Sequence, residues 1–419
     1  MRLILAAALG LILASSAQAQ PQPLAQAQAQ AQAQAGAPAQ EQVSPLDRLV
    51  HEQLLVLDTH LDTPALLHRP GWDIGDYHHY AWDVSQVDIP RMAQGGLDGG
   101  FFVIYTRQGP LTPEGYAAAR SGALVRAAEI QRMVAGHPDV FAFATKPEDA
   151  ARIAAQGKRI VYQSIENSYP LGTDLGLLET FHRLGVRMAG PVHSKNNQFA
   201  DSATDKPRWN GLSPLGRAWV AEMNRLGMLI DASHASDAAF DQMLALSKAP
   251  IILSHSGPKA MFDHPRNLDD DRLRKLARAG GVMQLNSLYL EPFNSDPDRN
   301  ALHDRQEQFQ TLAPAEQRKL LRDAAALDAK RPYVSATFDM FMNSLLHAIK
   351  VMGVDHVGIG ADWDGGGGVL GMEDVTTLPR ITARLRRAGY SEGDIAKIWS
   401  GNLLRLLAKA QAGAQPAVK

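Results

Sequence analysis

The chain contains no cysteine in 419 residues. That absence excludes disulfides. It also excludes thiolate ligands, so a bound metal must be held by nitrogen and oxygen. A lipoprotein anchor, which needs a cysteine after its signal, is excluded as well. An excess of one charge is missing too: 42 Lys and Arg face 44 Asp and Glu, for a net charge of -2. Mixed signs leave no basic face for nucleic acid and no polybasic membrane patch. Beyond the extreme N-terminus, no segment reaches the roughly 18 uninterrupted apolar residues that a membrane span needs. No strand–GxGxxG–helix unit occurs, which removes the main support for an open, nucleotide-binding sheet. The run Gly365–Gly368 lacks that spacing and the helix after it, and reads as a flexible loop.

What is present starts with a signal. Arg2 is basic, Leu3 to Leu13 is apolar, and Ala17-Gln18-Ala19 has the small-x-small pattern of a cleavage site. Residues 1–19 therefore read as a Sec-type signal peptide cut after Ala19, and the mature chain is expected to be soluble and periplasmic. Residues 20–42 are almost only Ala, Gln and Pro, a composition with little bulk to bury, and read as a disordered tether. Residues 43–408 are expected to form one large domain, and the small, polar residues 409–419 a frayed tail.

Within that domain, short apolar runs alternate with amphipathic stretches. The runs are Leu54–Asp62, Gly100–Thr106, Arg159–Glu166, Arg187–His193, Met228–His234, Pro250–His255, Gly281–Ser287 and His356–Asp362. Helical patterns lie between most of them, among them Thr112–Ala135, Pro214–Leu226 and Asp271–Ala279. Val/Ile/Leu-rich strands alternating with helices imply parallel strands buried on both faces. Eight such runs predict an α/β fold of the (β/α)8, TIM-like barrel type. The charged, helix-prone stretch Asn294–Lys330 reads as a helical insertion or lid between the seventh and eighth strands.

Most of these runs end on a histidine or a carboxylate. Barrel active sites are assembled at the C-terminal ends of different strands, so such residues converge. His60 and Asp62 sit at i and i+2 and project from one side of a strand. As a lone motif, His-x-Asp is weak. Glu166, His234 and His255 at other strand ends strengthen it, because neutral imidazole is the commonest metal ligand. A buried carboxylate such as Glu166 needs a cation, although an arginine partner would also serve. The count then suits two ions: His60, Asp62 and Glu166 for one, Glu166, His234 and His255 for the other. Three protein ligands and an open position form the catalytic zinc pattern. Two ions sharing a water, bridged by it and by Glu166, would generate a hydroxide nucleophile. Asp362 is placed to orient that water and move its proton, or merely caps a loop. His193 is placed to donate to an oxyanion, or is a core histidine satisfied by backbone. Arg266 suits the free carboxylate of a substrate, or is a solvated loop arginine. His68, His78 and His79 lie with Trp72, Tyr77, Tyr80 and Trp82 in a loop that either caps the cleft or packs on the rim; His182 and His264 read as surface residues.

At these residues the chain resembles the membrane (renal) dipeptidase family of the metal-dependent amidohydrolase superfamily. The most specific pieces are Asp58-Thr59-His60-Leu61-Asp62, Ser164-Ile165-Glu166, Val192-His193-Ser194, Ala232-Ser233-His234-Ala235-Ser236, Ser254-His255-Ser256, Arg266-Asn267 and Gly360-Ala361-Asp362-Trp363-Asp364-Gly365. The longest runs from Gly211-Leu212-Ser213-Pro214 to Ile230-Asp231, and the likeness extends from about Val56 to Leu406. The resemblance implies a binuclear zinc peptidase that hydrolyses dipeptides and tolerates a D-residue at the C-terminal position. It implies His60, Asp62, Glu166, His234 and His255 as zinc ligands, His193 and Arg266 as substrate-binding, and Asp362 as the acid/base. It leaves a homodimer open. The missing cysteines depart from animal members, which use disulfides, and Asn294–Lys330 looks longer than the family's pattern. The competing readings are an amidohydrolase acting on an N-acyl amino acid, a lactone, a phosphotriester or a β-lactam, and a periplasmic binding protein with a dead site. Amidohydrolases of the former kind commonly bridge their metals with a carboxylated lysine; the glutamate here favours the dipeptidase branch.

Overall fold

Runs of β-branched and aliphatic residues become short parallel strands, because helices on the outer face leave both sides of each strand in apolar surroundings. They are β1 (Leu57–Leu61), β2 (Gly99–Ile104), β3 (Phe141–Phe143), β4 (Arg159–Ile165), β5 (Val186–Ala189), β6 (Leu229–Ile230), β7 (Ile252–Ser256), β8 (Val282–Leu285) and β9 (Val357–Ile359). The computed structural model describes residues 42–79, 83–292, 297–306, 309, 312–331 and 335–415. The expected signal peptide, all but the last residue of the Ala/Gln/Pro tether, Tyr80 and Trp82 lie outside the described residues.

A six-stranded sheet has the order β1-β2-β4-β5-β6, with β3 paired to the start of β4, and forms a parallel half-barrel. A three-stranded parallel sheet, β7-β8-β9, completes the set. Single parallel bridges join the two sheets, Asp231 to Ile252 and Leu61 to Trp363. β3 is an addition to the eight expected strands. Leu57, Phe101, Tyr162, Met188, Leu229, Ile252 and Val282, from seven different strands, pack in one cluster. Only sheets curved towards each other bring those side chains together.

That cluster also takes in Leu403, Leu406, Leu407 and Ala410 of the last helix, Asn402–Ala412. The helix therefore runs past Ala408, the boundary expected for a frayed tail. Its small residues are helix formers, and burial of the leucines, worth about 1.5–3 kcal/mol each, holds the segment down.

Local signals set the helices between strands. In Pro214–Leu226, Ser213 caps the start by accepting from Gly216 N, Pro214 occupies the first turn, and Gly227 ends the helix at φ 69°. Helix Pro113–Gly136 starts the same way, with Thr112 accepting from Gly115 N. Between β8 and β9 lie the helices Pro297–Gln306 and Pro314–Lys330. Phe309, Leu320 and Leu321 there pack with Val84, and Arg69 lies over the Phe309 ring at 5.4 Å. The aromatic loop thus has a packing partner: it sits against this helical segment. His78 of that loop stacks on Trp72 and pairs with Asp83 at 2.7 Å, which accounts for it structurally.

Candidate metal centre

The carboxyl ends of the strands bring the singled-out residues to one place. His60 ends in β1 with Asp62 directly after it; Glu166 follows β4, His234 follows β6 and His255 lies in β7. All five are buried, with exposures of 1 to 8 %. Asp362 follows β9 and is buried; His193, past the end of β5, is the most open, its side chain 26 % exposed.

Glu166 is the hub. Its Oε1 lies 3.0 Å from His234 Nε2, 3.5 Å from His255 Nε2, 3.5 Å from His193 Nε2 and 3.6 Å from His60 Nε2. His60 Nε2 is buried, has no hydrogen-bond partner among the described residues, and also faces Asp62 Oδ2 at 3.3 Å and Asp362 Oδ1 at 3.9 Å. His234 Nε2 and His255 Nε2 are 2.9 Å apart. Among the described residues, three sets each have their donor atoms within 4.8 Å of one another: His60–Glu166–His255, Glu166–His193–His234 and His60–Asp62–Asp362. The grouping differs from the sets expected from sequence. His255 lies on His60, with ring centroids 3.8 Å apart, and His193 lies on His234 at 4.2 Å. Strand ends converge on a space narrower than the side chains, so each ring borders more than one group.

Burial governs the charges. It pushes the Glu166 carboxyl well above its usual range; His60 pulls it back, and Asp62 and Asp362 push it further up. Burial likewise lifts Asp362 to about 6, against the pull of His60. His234 and His255 are held well below the usual histidine value, first by burial and then by neighbouring positive charge, so both are neutral rings. For His60, burial works the other way, yet Asp62, Glu166 and Asp362 together carry it up to about 10. Crowded buried carboxylates beside neutral imidazoles are costly alone, and a cation relieves both. The donor set, all nitrogen and oxygen with four imidazoles among the three groups, suits zinc.

Arg266 is a buried residue, 1 % exposed, and so not the solvated loop arginine that the sequence left open. Its Nη2 donates to His255 O, while buried Nε and Nη1 have no hydrogen-bond partner among the described residues. Its guanidinium lies 5.2 Å from the centre of the Tyr289 ring. The sequence reading missed Tyr289. This bulky residue holds φ 56°, a left-handed conformation that costs of order 1–3 kcal/mol in a non-glycine residue and clusters at functional sites. Burial raises its phenol, and the charges that act on it are those of Arg266, Asp362 and Glu166, which puts it at the same site. His264, read as a surface residue, stacks on Tyr289 with centroids 4.6 Å apart. Nothing local in the sequence marks Tyr289.

The glycine run is a tight turn rather than a flexible loop. Gly365 N and Gly367 N both donate to Asp362 O, and Gly368 N donates to Ser287 Oγ. Asp362 and Asp364 adopt φ 66° and 63°. Asp364 anchors the turn by accepting from Thr63 Oγ1 and Gln86 N, both at 2.6 Å. A Cβ on Gly365 would stand 2.1 Å from Asp62 Oδ2 and 2.3 Å from Asp362 Oδ1. Gly365→Ala is therefore expected to displace both carboxylates and lower kcat/KM roughly 10- to 100-fold, since a misplacement near 1 Å costs about that much. Steady-state kinetics beside a melting curve checks this; an unchanged kcat/KM would refute the contact's importance.

Known proteins resemble this chain along most of its length. The family model described as membrane dipeptidase (peptidase family M19) matches residues 46–418. Among curated proteins, the dipeptidase tcpJ of Claviceps purpurea is 30% identical over 335 residues, covering 78% of this chain and 70% of that protein. The dipeptidase aclJ of Aspergillus oryzae is 31% identical over 330 residues, covering 77% and 69%. Among solved structures, the probable dipeptidase PvdM of Pseudomonas aeruginosa is 33% identical with a TM-score of 0.75, covering 88% of this chain and 98% of that one. A metallopeptidase of Rhodobacter sphaeroides, solved with a phosphinate mimic of the dipeptide L-Ala-D-Ala, is 27% identical with a TM-score of 0.68, covering 85% and 99%. With the family model spanning nearly all of the described residues and its relatives sharing the fold, this chain belongs to the membrane dipeptidase family, peptidase family M19, and is a dipeptidase of the metallopeptidase kind.

Proposed function

We propose that this dipeptidase works with two zinc ions held by His60, Asp62, Glu166, His234 and His255, at the mouth of a closed (β/α)8 barrel. The observation that carries the reading is the position of Glu166 Oε1, within 3.0 to 3.6 Å of four histidine nitrogens. A carboxylate has two oxygens, so one placed among two sets of ligands suits a bridge. Closure of the barrel is supported by the two single bridges between the sheets and by the cluster drawn from seven strands. When bound, the ions supply an acidic water, the source of the attacking hydroxide, and a Lewis acid for the peptide carbonyl.

The chain's own residues do the rest. Asp362, fixed in its left-handed turn, takes a proton from the attacking water and returns it to the leaving amine. His193, neutral and at the open edge of the site, donates to the oxygen on which negative charge develops. Arg266 pairs with the free carboxylate of the substrate through Nε and Nη1, which have no hydrogen-bond partner among the described residues. A guanidinium buried for that purpose selects a short peptide whose C-terminus reaches it. Tolerance for a D-residue at that end is supported by the L-Ala-D-Ala mimic bound to the Rhodobacter sphaeroides relative. Action in the periplasm rests on the signal-like residues 1–19; among the described residues no helix is long and apolar enough to cross a membrane.

The test combines metal analysis with a substrate panel. Close to two zinc ions per chain are expected. L,L and L,D dipeptides should be cleaved, and their C-terminal amides should fall about 100-fold or more in kcat/KM, because a buried guanidinium is left without its partner. One zinc or none, or a preference for N-acyl amino acids or lactones, would overturn the reading.

A further inference from the structure

None of the steps above uses Ser254 or Asp231, yet both are buried directly behind the ligands. Asp231 lies just past β6, and Ser254 in β7 is one residue before His255. Their exposures are 4 % and 0 %. We propose that the Ser254 hydroxyl, aimed by Asp231, is a positioning group that fixes the tautomer of His255 and steadies His60, so that each ring offers a bare Nε2 to the metal centre. The inference rests on the reading of His60 and His255 as metal ligands.

The argument is a proton count. The Asp231 carboxylate has only acceptors. Oδ1 accepts from Ser233 N, Ser233 Oγ and Ser254 N, and Oδ2 accepts from Ser254 Oγ at 2.6 Å. The single hydroxyl proton of Ser254 is thereby committed to Asp231. Towards the rings Ser254 has only lone pairs left. Its Oγ lies 2.8 Å from His255 Nδ1 and 3.5 Å from His60 Nδ1. A ring nitrogen that bonds an acceptor must carry the proton, and a neutral imidazole has only one. His255 is therefore Nδ1–H, and its Nε2, 3.5 Å from Glu166 Oε1 and 2.9 Å from His234 Nε2, carries a lone pair and no proton. His60 meets the second lone pair at the far edge of hydrogen-bond range, so the lock on it is weaker. Ser233 completes the frame: its Oγ accepts from His255 N and fixes the backbone beneath the ring. One hydroxyl thus serves the ligand rings of β1 and β7, whose sequence separation from each other is nearly half the chain.

The Asp231→Asn variant gives the sign. The new amide nitrogen would donate to Ser254 Oγ, and the released hydroxyl proton would point at His255 Nδ1. That demands a bare Nδ1 and puts the proton on Nε2, the ligating atom. A merely structural Asp231 predicts lower stability with no such flip. The experiment is nitrogen-15 spectroscopy of the histidine-labelled full chain, metal-free and zinc-loaded, with zinc affinity measured by chelator competition. Wild type should show His255 as Nδ1–H. Asp231→Asn should show Nε2–H in the metal-free chain and bind zinc about 10- to 100-fold more weakly, the usual cost of losing a partner of a metal-binding histidine. Ser254→Ala should show a tautomer mixture with weakened zinc, and Ser254→Thr, which keeps the hydroxyl, should restore both. Unchanged His255 tautomers in Asp231→Asn and Ser254→Ala would overturn the proposal. If Asp231→Asn does not fold, Ser254→Ala decides alone, and a fully Nδ1–H ring there overturns it. The function reading fails separately: wild type binding fewer than two zinc ions sinks that reading, while the metal-free tautomer still tests the lock.

Discussion

Replacing Glu166 with alanine is expected to leave the chain with fewer than two zinc ions and to lower turnover on the order of a thousandfold or more. Each proposed ion loses a ligand at once, because Glu166 is the one side chain shared between them. Lewis-acid and activated-water effects are worth several kcal/mol, and about 4 kcal/mol corresponds to that factor. The stability effect should have the opposite sign. In the metal-free chain Glu166 is a buried carboxyl that burial pushes well above its usual range, with Asp62 and Asp362 adding to the strain. Removing it takes away a buried acid whose loss of solvent outweighs the pull of His60. Metal-free Glu166→Ala should therefore melt no lower than metal-free wild type. Zinc, by contrast, should stabilise wild type by about 2.7 kcal/mol per site at a hundredfold excess over Kd, and the variant by much less. Metal analysis, kinetics and melting curves with and without zinc read all three. A variant that keeps two ions and wild-type turnover would remove Glu166 from the bridging role.

Asp362→Asn is the second large effect. Asparagine fills the same volume and tolerates the same φ of 66°, but it cannot take a proton from water. kcat is expected to fall by about 10²–10⁴, with KM little changed and two zinc ions retained. The carboxyl is well placed for exchange of a proton near neutrality, since burial lifts it to about 6, opposed by His60. Metal content recorded beside the kinetics separates two roles. Loss of zinc would make Asp362 a ligand, as its grouping with His60 and Asp62 allows. Full activity would exclude it from proton transfer.

Much of this site was legible because its signals are local. Glu166 stands at the end of Val161-Tyr162-Gln163-Ser164-Ile165, where a charge in a buried strand needs a reason. His60 and Asp62 share one side of β1 by the two-residue period alone. The strands themselves were visible as apolar runs, all except β3. The last helix was misjudged at its end, because Ala and Gln say nothing about what lies beneath them; four side chains from Leu403 to Ala410 pack on the strands.

Gly365 shows the limit of composition. Four consecutive glycines read as looseness, yet a Cβ there would enter the space of two carboxylates from β1 and β9. Arg266 likewise reads either as a substrate ligand or as a solvated loop arginine until the tertiary structure leaves it 1 % exposed.

The amino-acid sequence by itself determined which residues are placed at strand ends, and hence the kind of atoms that meet: imidazole nitrogen and carboxylate oxygen, with no sulfur. Residue type and strand period act over a few positions, so they can be read without a structure. The tertiary fold decided how those residues group, which of them are stripped of water, and where each proton sits. His60 and Ser254 are 194 positions apart, and their 3.5 Å contact exists only because β1 and β7 converge. Distances across strands, and the loss of solvent that comes with them, set the charges and tautomers on which the chemistry depends.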